Sequence, residues 1–137
     1  MSDFPALNWL AVVAAAVAAF ALGWLWFGPL FGRKWQAEVG LSDEQMSRGT
    51  APMVLGLAFA LNLLMSTGLA AFRATNEITS LIASAGFGIC VMVNFAVPVL
   101  ATNHLFSQRS FAQFAIDAGY FIAMFVVMGV VQVLLGG

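Results

Sequence analysis

The chain has 137 residues, of which 62% are hydrophobic and 8% are charged, and its formal net charge is −1 at pH 7. Soluble domains carry about 25% charged residues, so this composition excludes a water-soluble fold, and the five basic residues are too few for a nucleic-acid partner. The mean hydropathy of +0.96 makes the lipid bilayer the expected solvent and first partner of the chain.

Four apolar segments follow one another along the chain. Each is close to the roughly 20 residues that cross a hydrocarbon core. They cover residues 7–27, 51–72, 78–102 and 111–135, to within a few positions. We therefore predict an all-α fold, an integral membrane bundle of four transmembrane helices in a single domain over residues 1–137. Residues 28–50 form the one polar loop, in which Ser42 and Gln45 predict a capped helical turn.

The end of the first segment, GWLWFGPLFGRKW over residues 23–35, changes character abruptly. Proline supplies no backbone donor and restricts the residue before it, so Gly28 and Pro29 are expected to end the first helix. Tryptophan rings suit the headgroup level of a bilayer, and a basic pair follows just beyond the core. The stretch predicts a membrane-interface elbow, or alternatively a gate or binding elbow, made of Trp24, Trp26, Pro29, Arg33, Lys34 and Trp35.

Basic residues are distributed unevenly between the two sides of the predicted bundle. The loops that join helices one to two and three to four hold Arg33, Lys34, Arg48 and Arg109, whereas the opposite side holds only Arg73. Short loops rich in lysine and arginine stay in the cytoplasm. We therefore predict that both termini lie on the other side of the membrane.

Small residues recur at every fourth position on three of the predicted helices. Such ridges let helix backbones approach closely, which is a main source of packing energy in lipid. They predict either packing within the chain or self-association, and we expect a homo-oligomer. The predicted helix-packing positions are Ala15, Ala19 and Gly23, then Gly56 and Ala60, and finally Gly119.

Polar side chains inside the apolar segments are the first candidates for function. Asn62 and Ser66 share one face of helix two, and Asn94 shares a face of helix three with Pro98 and Thr102. Two such stripes can meet across the bundle and form a polar path, or they can simply form hydrogen bonds that hold helices together. The proline predicts a bend beside Asn94, either static or a hinge.

Asp117 lies about two turns into helix four, counted from the Ser110–Gln113 capping box. A carboxylate inside a membrane span is rare and indicates function together with a partner. The candidate partners are Arg33, Lys34, His104 and Arg109. The pattern predicts either an ion pair that ties a loop to the helix or a proton- or ion-linked site of Asp117 and His104, with Asn103 beside it.

The sequence contains no catalytic motif. One histidine without clustered Cys, Asp or Glu is a poor metal site, because zinc takes about four ligands. Met124 and Met128, one turn apart on helix four, could hold a soft metal with Met92 or Cys90, but methionines at helical spacing are typical of packing. We expect neither an enzyme nor a metal or cofactor.

Two stretches, LNWLAVVAAAVAAFALGWLWFGPLFGRKWQAEVGLS near the start and SFAQFAIDAGYFIAMFVVMG near the end, resemble the DUF1761 family of small bacterial membrane proteins. The resemblance rests on the elbow WFGPLFG and on the segment Asp117–Tyr120. It implies four transmembrane helices and no activity that can be transferred. We expect a multi-pass protein of the bacterial inner membrane with both termini in the periplasm.

The leading functional prediction is passage or binding of a small solute or ion. Its path or binding site would use Asn62, Ser66, Asn94, Asn103, His104 and Asp117. The alternative is a non-transporting module that binds lipid or a partner membrane protein through its small-residue faces, and an intramembrane enzyme is third. A transporter predicts a hydrated cavity that reaches Asn62 and Asn94, whereas a binding module predicts a dry bundle.

Overall fold

The computed structural model describes residues 6–136, so the first five residues and the last residue of the predicted domain lie outside it. Within that range the fold is all-α and contains no strand. Four helical spans are long and apolar enough to cross a membrane, as predicted. They are Trp9–Leu30, Pro52–Thr75, Leu81–Phe106 and Phe111–Leu134.

The first span is an α-helix that widens before it ends. Helix α1, Trp9–Leu25, begins at Asn8, whose side chain accepts the backbone N–H of Ala11. A π-helical segment, Trp26–Leu30, follows directly and contains Pro29. The first span ends at Leu30, one residue past Pro29 and within the tolerance of the predicted end, after a widened turn that carries the chain past the proline. The widened turn is identified by a 2.9 Å hydrogen bond from the Phe31 N–H to the carbonyl of Trp26, five residues back.

The predicted polar loop is mostly helical. Helix α2, Gly32–Val39, ends at Gly40 with φ +83°, the left-handed conformation that glycine adopts without strain. Helix α3, Asp43–Arg48, begins with the predicted capping box of Ser42 and Gln45. These two short helices lie over one end of the bundle, and α2 packs against the last long helix.

Three further helices complete the second, third and fourth spans. Helix α4 is Pro52–Thr75. The third span consists of α5, Leu81–Val91, a π-helical segment, Met92–Ala96, and α6, Val97–Phe106. Helix α7 is Phe111–Leu134, and Ser110 caps it by accepting the Gln113 N–H. The irregularity predicted at Pro98 takes the form of the π turn just before it.

Helix α7 lies between α1 and α5, while α4 packs along α1 and touches α7 only lightly. We call the end that carries α2, α3 and the α6–α7 turn the loop end. At the opposite, terminal end, Asn8 Nδ2 donates to the Leu135 carbonyl at 2.9 Å. The closest packing is between α1 and α7, where Ala15 and Ala19 are fully buried against large α7 side chains.

Most of the predicted small-residue positions lie at helix contacts. A Cβ on Gly23 would come within 2.8 Å of the Tyr120 hydroxyl, and one on Gly119 within 3.1 Å of the Trp26 ring. Gly56 and Ala60 are different, since both are exposed and nothing lies within 4 Å of a Cβ on Gly56. The α4 ridge therefore makes no helix contact inside the described chain.

Candidate functional site

A cavity of about 580 Å³ lies between α1, α4 and α7, beneath α2 and α3. Helix α4 packs along α1 but touches α7 only lightly, which leaves room for the cavity between them. Its volume is within the range of small-molecule sites, about 300–1,000 Å³. Among the described residues no charged side chain lines it. The aromatic part of its wall consists of Phe20, Trp24, Phe27, Trp35, Tyr120 and Phe121.

Asn62 is the polar group that faces this cavity from α4. The residue is 6% exposed and lies ten positions after Pro52, which places it about 15 Å along the helix axis, near the middle of the span. Its side chain makes no hydrogen bond to the described residues. An amide in hydrocarbon requires partners, so Asn62 presents two donors and an acceptor to the cavity.

Several other polar groups in the wall already have partners. The Tyr120 hydroxyl donates to the Ala19 carbonyl at 3.1 Å, and the Trp35 indole N–H donates to Asp117. At the mouth, the Thr50 hydroxyl donates to the Ser47 carbonyl and the Gln45 side chain accepts the Ser42 N–H. A ligand in the cavity therefore meets a largely apolar wall with six aromatic side chains, and the Asn62 amide inside it.

Ser66, predicted beside Asn62, belongs instead to a buried polar cluster toward the terminal end. Its hydroxyl donates to the Val12 carbonyl at 2.8 Å and accepts the Gln132 Nε2–H at 2.9 Å. Gln132 in turn accepts from Arg73 Nη1 at 3.1 Å. This cluster of Ser66, Arg73 and Gln132, which we call the polar clamp, joins α1, α4 and α7 where α4 is closest to α7.

Arg73 was predicted as a loop residue, and that prediction was wrong. It is 1% exposed in the last turn of α4, and its Nη2 donates to the Ile78 carbonyl at 2.9 Å. The C-terminal end of a helix favours a cation, which helps to place the guanidinium there. The Nε atom of Arg73 is buried without a hydrogen-bond partner among the described residues. The same is true of the hydroxyl of Ser84 on α5.

The structure does not bring Asn94 to Asn62. Asn94 is exposed, and its amide donates to the Cys90 carbonyl one turn back at 2.8 Å. The buried face of the third span is set by Ser84, Gly88 and Met92. Asn94 is two residues past Met92, or about 200° around the helix, and therefore points outward. The predicted path through both amides is corrected accordingly, and Asn103 is exposed as well.

Asp117 and His104 do meet, at the loop end. His104 Nε2 lies 3.3 Å from Asp117 Oδ2, and their side chains are 6% and 15% exposed. The Trp35 indole N–H donates to Asp117 Oδ1 at 2.9 Å, a partner that the sequence analysis missed. The other candidate partners, Arg33, Lys34 and Arg109, are exposed and make no ion pair with Asp117 in the described range. We call His104, Asp117 and Trp35 the triad.

The predicted interface elbow divides into two faces. Trp24 is 62% exposed, as an interfacial anchor requires, and Pro29, Arg33 and Lys34 are exposed too. Trp26 instead turns inward, and its indole N–H donates to the Ile116 carbonyl at 3.0 Å. Four of the six elbow residues are thus exposed, while Trp26 and Trp35 tie the first span and α2 to α7.

A family model matches residues 10–133, and its description is "Protein of unknown function (DUF1761)". The chain belongs to the DUF1761 family. The match covers all four spans, the elbow and the triad of this DUF1761 protein. Comparison with curated proteins and with solved structures finds no match.

The polar clamp of this DUF1761 protein left a signal in the sequence. Asn62, Ser66 and Arg73 are spaced i, i+4 and i+11, which puts all three on one face of a helix. On α7, Met124, Met128 and Gln132 follow one another at every fourth position, so Gln132 lies on the same helix face as the two methionines. Placing the end of the second span at residue 72 hid this pattern, because Arg73 then counted as a loop cation.

Proposed function

We propose that this DUF1761 protein binds an uncharged, mostly apolar small molecule from the lipid phase, which hydrogen-bonds to Asn62 inside the cavity. One observation carries the proposal: the side-chain amide of Asn62, a residue that is 6% exposed, makes no hydrogen bond to the described residues and faces a cavity that has no charged wall residue in the described chain. A carbonyl or hydroxyl group of a ligand in the cavity would give this amide a hydrogen-bond partner in an apolar environment, where such a bond is favourable.

The wall favours a flat ring as the buried part of this ligand. Phe27 packs edge-on against both Tyr120 and Trp35, with ring centroids 5.2 and 5.5 Å apart. Aromatic side chains attract other rings in edge-to-face or offset geometry. A ring compound with a carbonyl acceptor and an alkyl tail fits both the apolar wall and the Asn62 amide.

The test uses two tritium-labelled probes that differ only in the polar group, decyl-benzoquinone and decylbenzene. Binding to the full chain in detergent is measured by scintillation proximity. We expect saturable binding of the quinone, weakened roughly 2- to 12-fold in Asn62→Leu, since a net hydrogen bond contributes about 0.5–1.5 kcal/mol. Decylbenzene should bind Asn62→Leu as well as it binds the wild type.

The matched control is Asn94→Leu, which removes the same amide from an exposed position of the bundle. It should bind both probes like the wild type. The proposal fails if neither probe binds saturably, if Asn62→Leu weakens the two probes equally, or if Asn94→Leu has the same effect as Asn62→Leu.

Transport of a small solute or ion, predicted first from the sequence, is the second candidate. The observation that favours it is the triad, where a half-buried carboxylate inside a membrane span meets a histidine beside the cavity wall. Proteoliposomes with a trapped pH-sensitive dye test the simplest case, proton flux. Flux present in the wild type, lost in Asp117→Asn and retained in Asn94→Ala supports it, and absence of wild-type flux argues against it.

A further inference from the structure

We propose that a second cavity, at the loop end, binds the head group of an ethanolamine phospholipid, that is, a phosphate followed by a primary ammonium. This cavity, which we call the turn cavity, has a volume of about 510 Å³ and lies between the end of α2 and the α6–α7 turn. It shares no wall residue with the cavity beside Asn62, so the two sites are independent. The polar residues of its lining are Glu38, Ser107, Gln108, Arg109, Ser110 and Gln113.

The position of the turn cavity favours a lipid as its occupant. The third span ends at Phe106 and the fourth begins at Phe111, so the turn between them lies where both helices leave the hydrocarbon. Lipid head groups lie at this level of a bilayer. The side chains of Leu105, Phe106 and Phe111 flank the turn and are 78%, 85% and 80% exposed. Acyl chains can cover these three side chains while the head group enters the polar cavity beside them.

The α6–α7 turn supplies positive charge for the phosphate. Helix α6 ends at Gln108 with φ +55°, and the Arg109 N–H donates to the His104 carbonyl at 2.9 Å, which places the exposed Arg109 just before α7. The N-terminal end of a long helix carries a positive partial charge that favours a phosphate. The Ser110 hydroxyl accepts the Gln113 N–H at 3.1 Å, and its own hydrogen is free to be donated to a phosphate oxygen.

The side chain of Gln113 gives independent support for a ligand. Gln113 lies in the first turn of α7, lines the turn cavity and is 2% exposed. Its side-chain amide makes no hydrogen bond to the described residues, so both hydrogens of Nε2 are available to a group in the cavity. Hydrogen bonds to a charged phosphate are stronger than those to a neutral acceptor. The amide therefore distinguishes this place from an ordinary helix N-terminus.

Glu38 determines which phosphate compound fits. Its carboxylate is the negative charge in the lining, and its ion pair with Lys34 is long, at 3.9 Å, and exposed. A carboxylate repels inorganic phosphate and anionic lipids but attracts an ammonium group. A primary ammonium also offers three N–H donors, whereas the trimethylammonium of a choline lipid offers none. A lining with one cation and one anion thus favours ethanolamine lipids over choline and glycerol lipids.

The experiment measures lipid binding to the full chain by native mass spectrometry from detergent micelles. The probes are dioleoyl phosphatidylethanolamine, phosphatidylcholine and phosphatidylglycerol, which differ only in the head group. The wild type should bind the ethanolamine lipid about 2- to 5-fold more tightly than the other two, the range expected for an exposed ion pair. Glu38→Gln should remove its preference for the ethanolamine lipid over the choline lipid, because both lipids carry the same phosphate.

Two variants test the phosphate side of the turn cavity. Arg109→Gln should weaken the binding of all three lipids by about 2- to 5-fold, and Gln113→Leu should weaken it by about 2- to 12-fold. The matched controls are Arg48→Gln and Glu44→Gln, which remove the same charges from exposed positions of α3 outside the turn cavity. Both controls should bind the three lipids like the wild type.

The head-group site is refuted if the wild type binds no lipid saturably or binds the three lipids equally. It is also refuted if Glu38→Gln keeps the preference, if Arg109→Gln or Gln113→Leu binds like the wild type, or if the controls behave like the cavity variants. The preference is a ratio within one chain, so a partly unfolded variant does not imitate its loss. Millimolar phosphoethanolamine or inorganic phosphate should leave the bound lipid in place, and displacement by either would assign the site to a soluble ligand and overturn the lipid assignment.

Discussion

Replacing Gln132 by leucine tests whether the polar clamp holds the terminal end of the bundle together. Gln132 is fully buried and makes three hydrogen bonds, one from Arg73 Nη1 at 3.1 Å and two to the Ser66 backbone and side-chain oxygens at 2.9 Å. Leucine fills a similar volume but accepts and donates nothing. Arg73 would then keep only its bond to the Ile78 carbonyl, with the charge still buried.

The size of the effect follows from these bonds. A hydrogen bond to a charged group contributes about 1.5–3 kcal/mol, and a neutral polar contact between membrane helices averages about 0.6 kcal/mol. We expect Gln132→Leu to lower the free energy of unfolding by about 2–4 kcal/mol. Arg73→Met should also destabilise, and the double variant should cost less than the sum of the two by about 1.5–3 kcal/mol, because the buried charge is gone.

The assay is reversible unfolding of the full chain in mixed micelles with an increasing fraction of sodium dodecyl sulfate, followed by far-UV circular dichroism. The control is Gln113→Leu on the same helix. Gln113 is 2% exposed, and its side chain makes no hydrogen bond to the described residues, so this change should be close to neutral. Loss of less than 0.5 kcal/mol in Gln132→Leu, a figure within the usual range for surface substitutions, would refute the reasoning.

Three further predictions address packing, self-association and orientation. Gly129→Ala should destabilise the fold by about 1–3 kcal/mol in the same assay, because a Cβ at this position collides with the Ser84 hydroxyl. Adding Ser84→Ala to the same chain should restore most of the lost stability, and a double variant as unstable as Gly129→Ala contradicts this explanation. Gly56→Leu should disrupt a homo-oligomer, measured by energy transfer in liposomes, if the exposed α4 ridge is its interface; unchanged transfer excludes that face. Alkaline phosphatase fused to the C-terminus should be active in the bacterial periplasm, since all four exposed basic residues lie at the loop end, and an inactive fusion reverses the orientation.

The spans could be predicted from the sequence because hydropathy and length determine them almost alone. The rotation of each span about its own axis could not be predicted from the sequence. The third span carries polar residues on both its faces, Ser84 on the buried one and Asn94 on the exposed one, so its sequence does not distinguish the lipid face from the bundle face. In the structure the rotation of the third span is set by Gly88, which faces α7 so closely that a Cβ there would lie 3.3 Å from the Phe125 backbone. That close approach turns Asn94 outward, which is why the predicted polar path is absent.

The triad was predictable in part. The position of Asp117 near the start of the last span, and of His104 near the end of the span before it, places both at one end of a helical hairpin. Trp35 was not predictable, because interface tryptophans and buried tryptophans share the same surroundings in sequence. Only the folding of residues 32–39 into α2, packed on α7, brings its indole to the carboxylate.

The polar clamp and the cavity are two consequences of one arrangement. At the terminal end, Gln132 connects Arg73 and Ser66 and holds α4 against α7 by hydrogen bonds. Toward the loop end the same two helices have no such bonds, and a cavity lined by Tyr120 and Phe121 of α7 and by aliphatic side chains of α4 lies beside Asn62. A bundle that is fixed at one end and open at the other can admit a ligand without losing its fold. Weakening the clamp should therefore lower stability far more than it changes probe affinity, whereas Asn62→Leu should do the opposite.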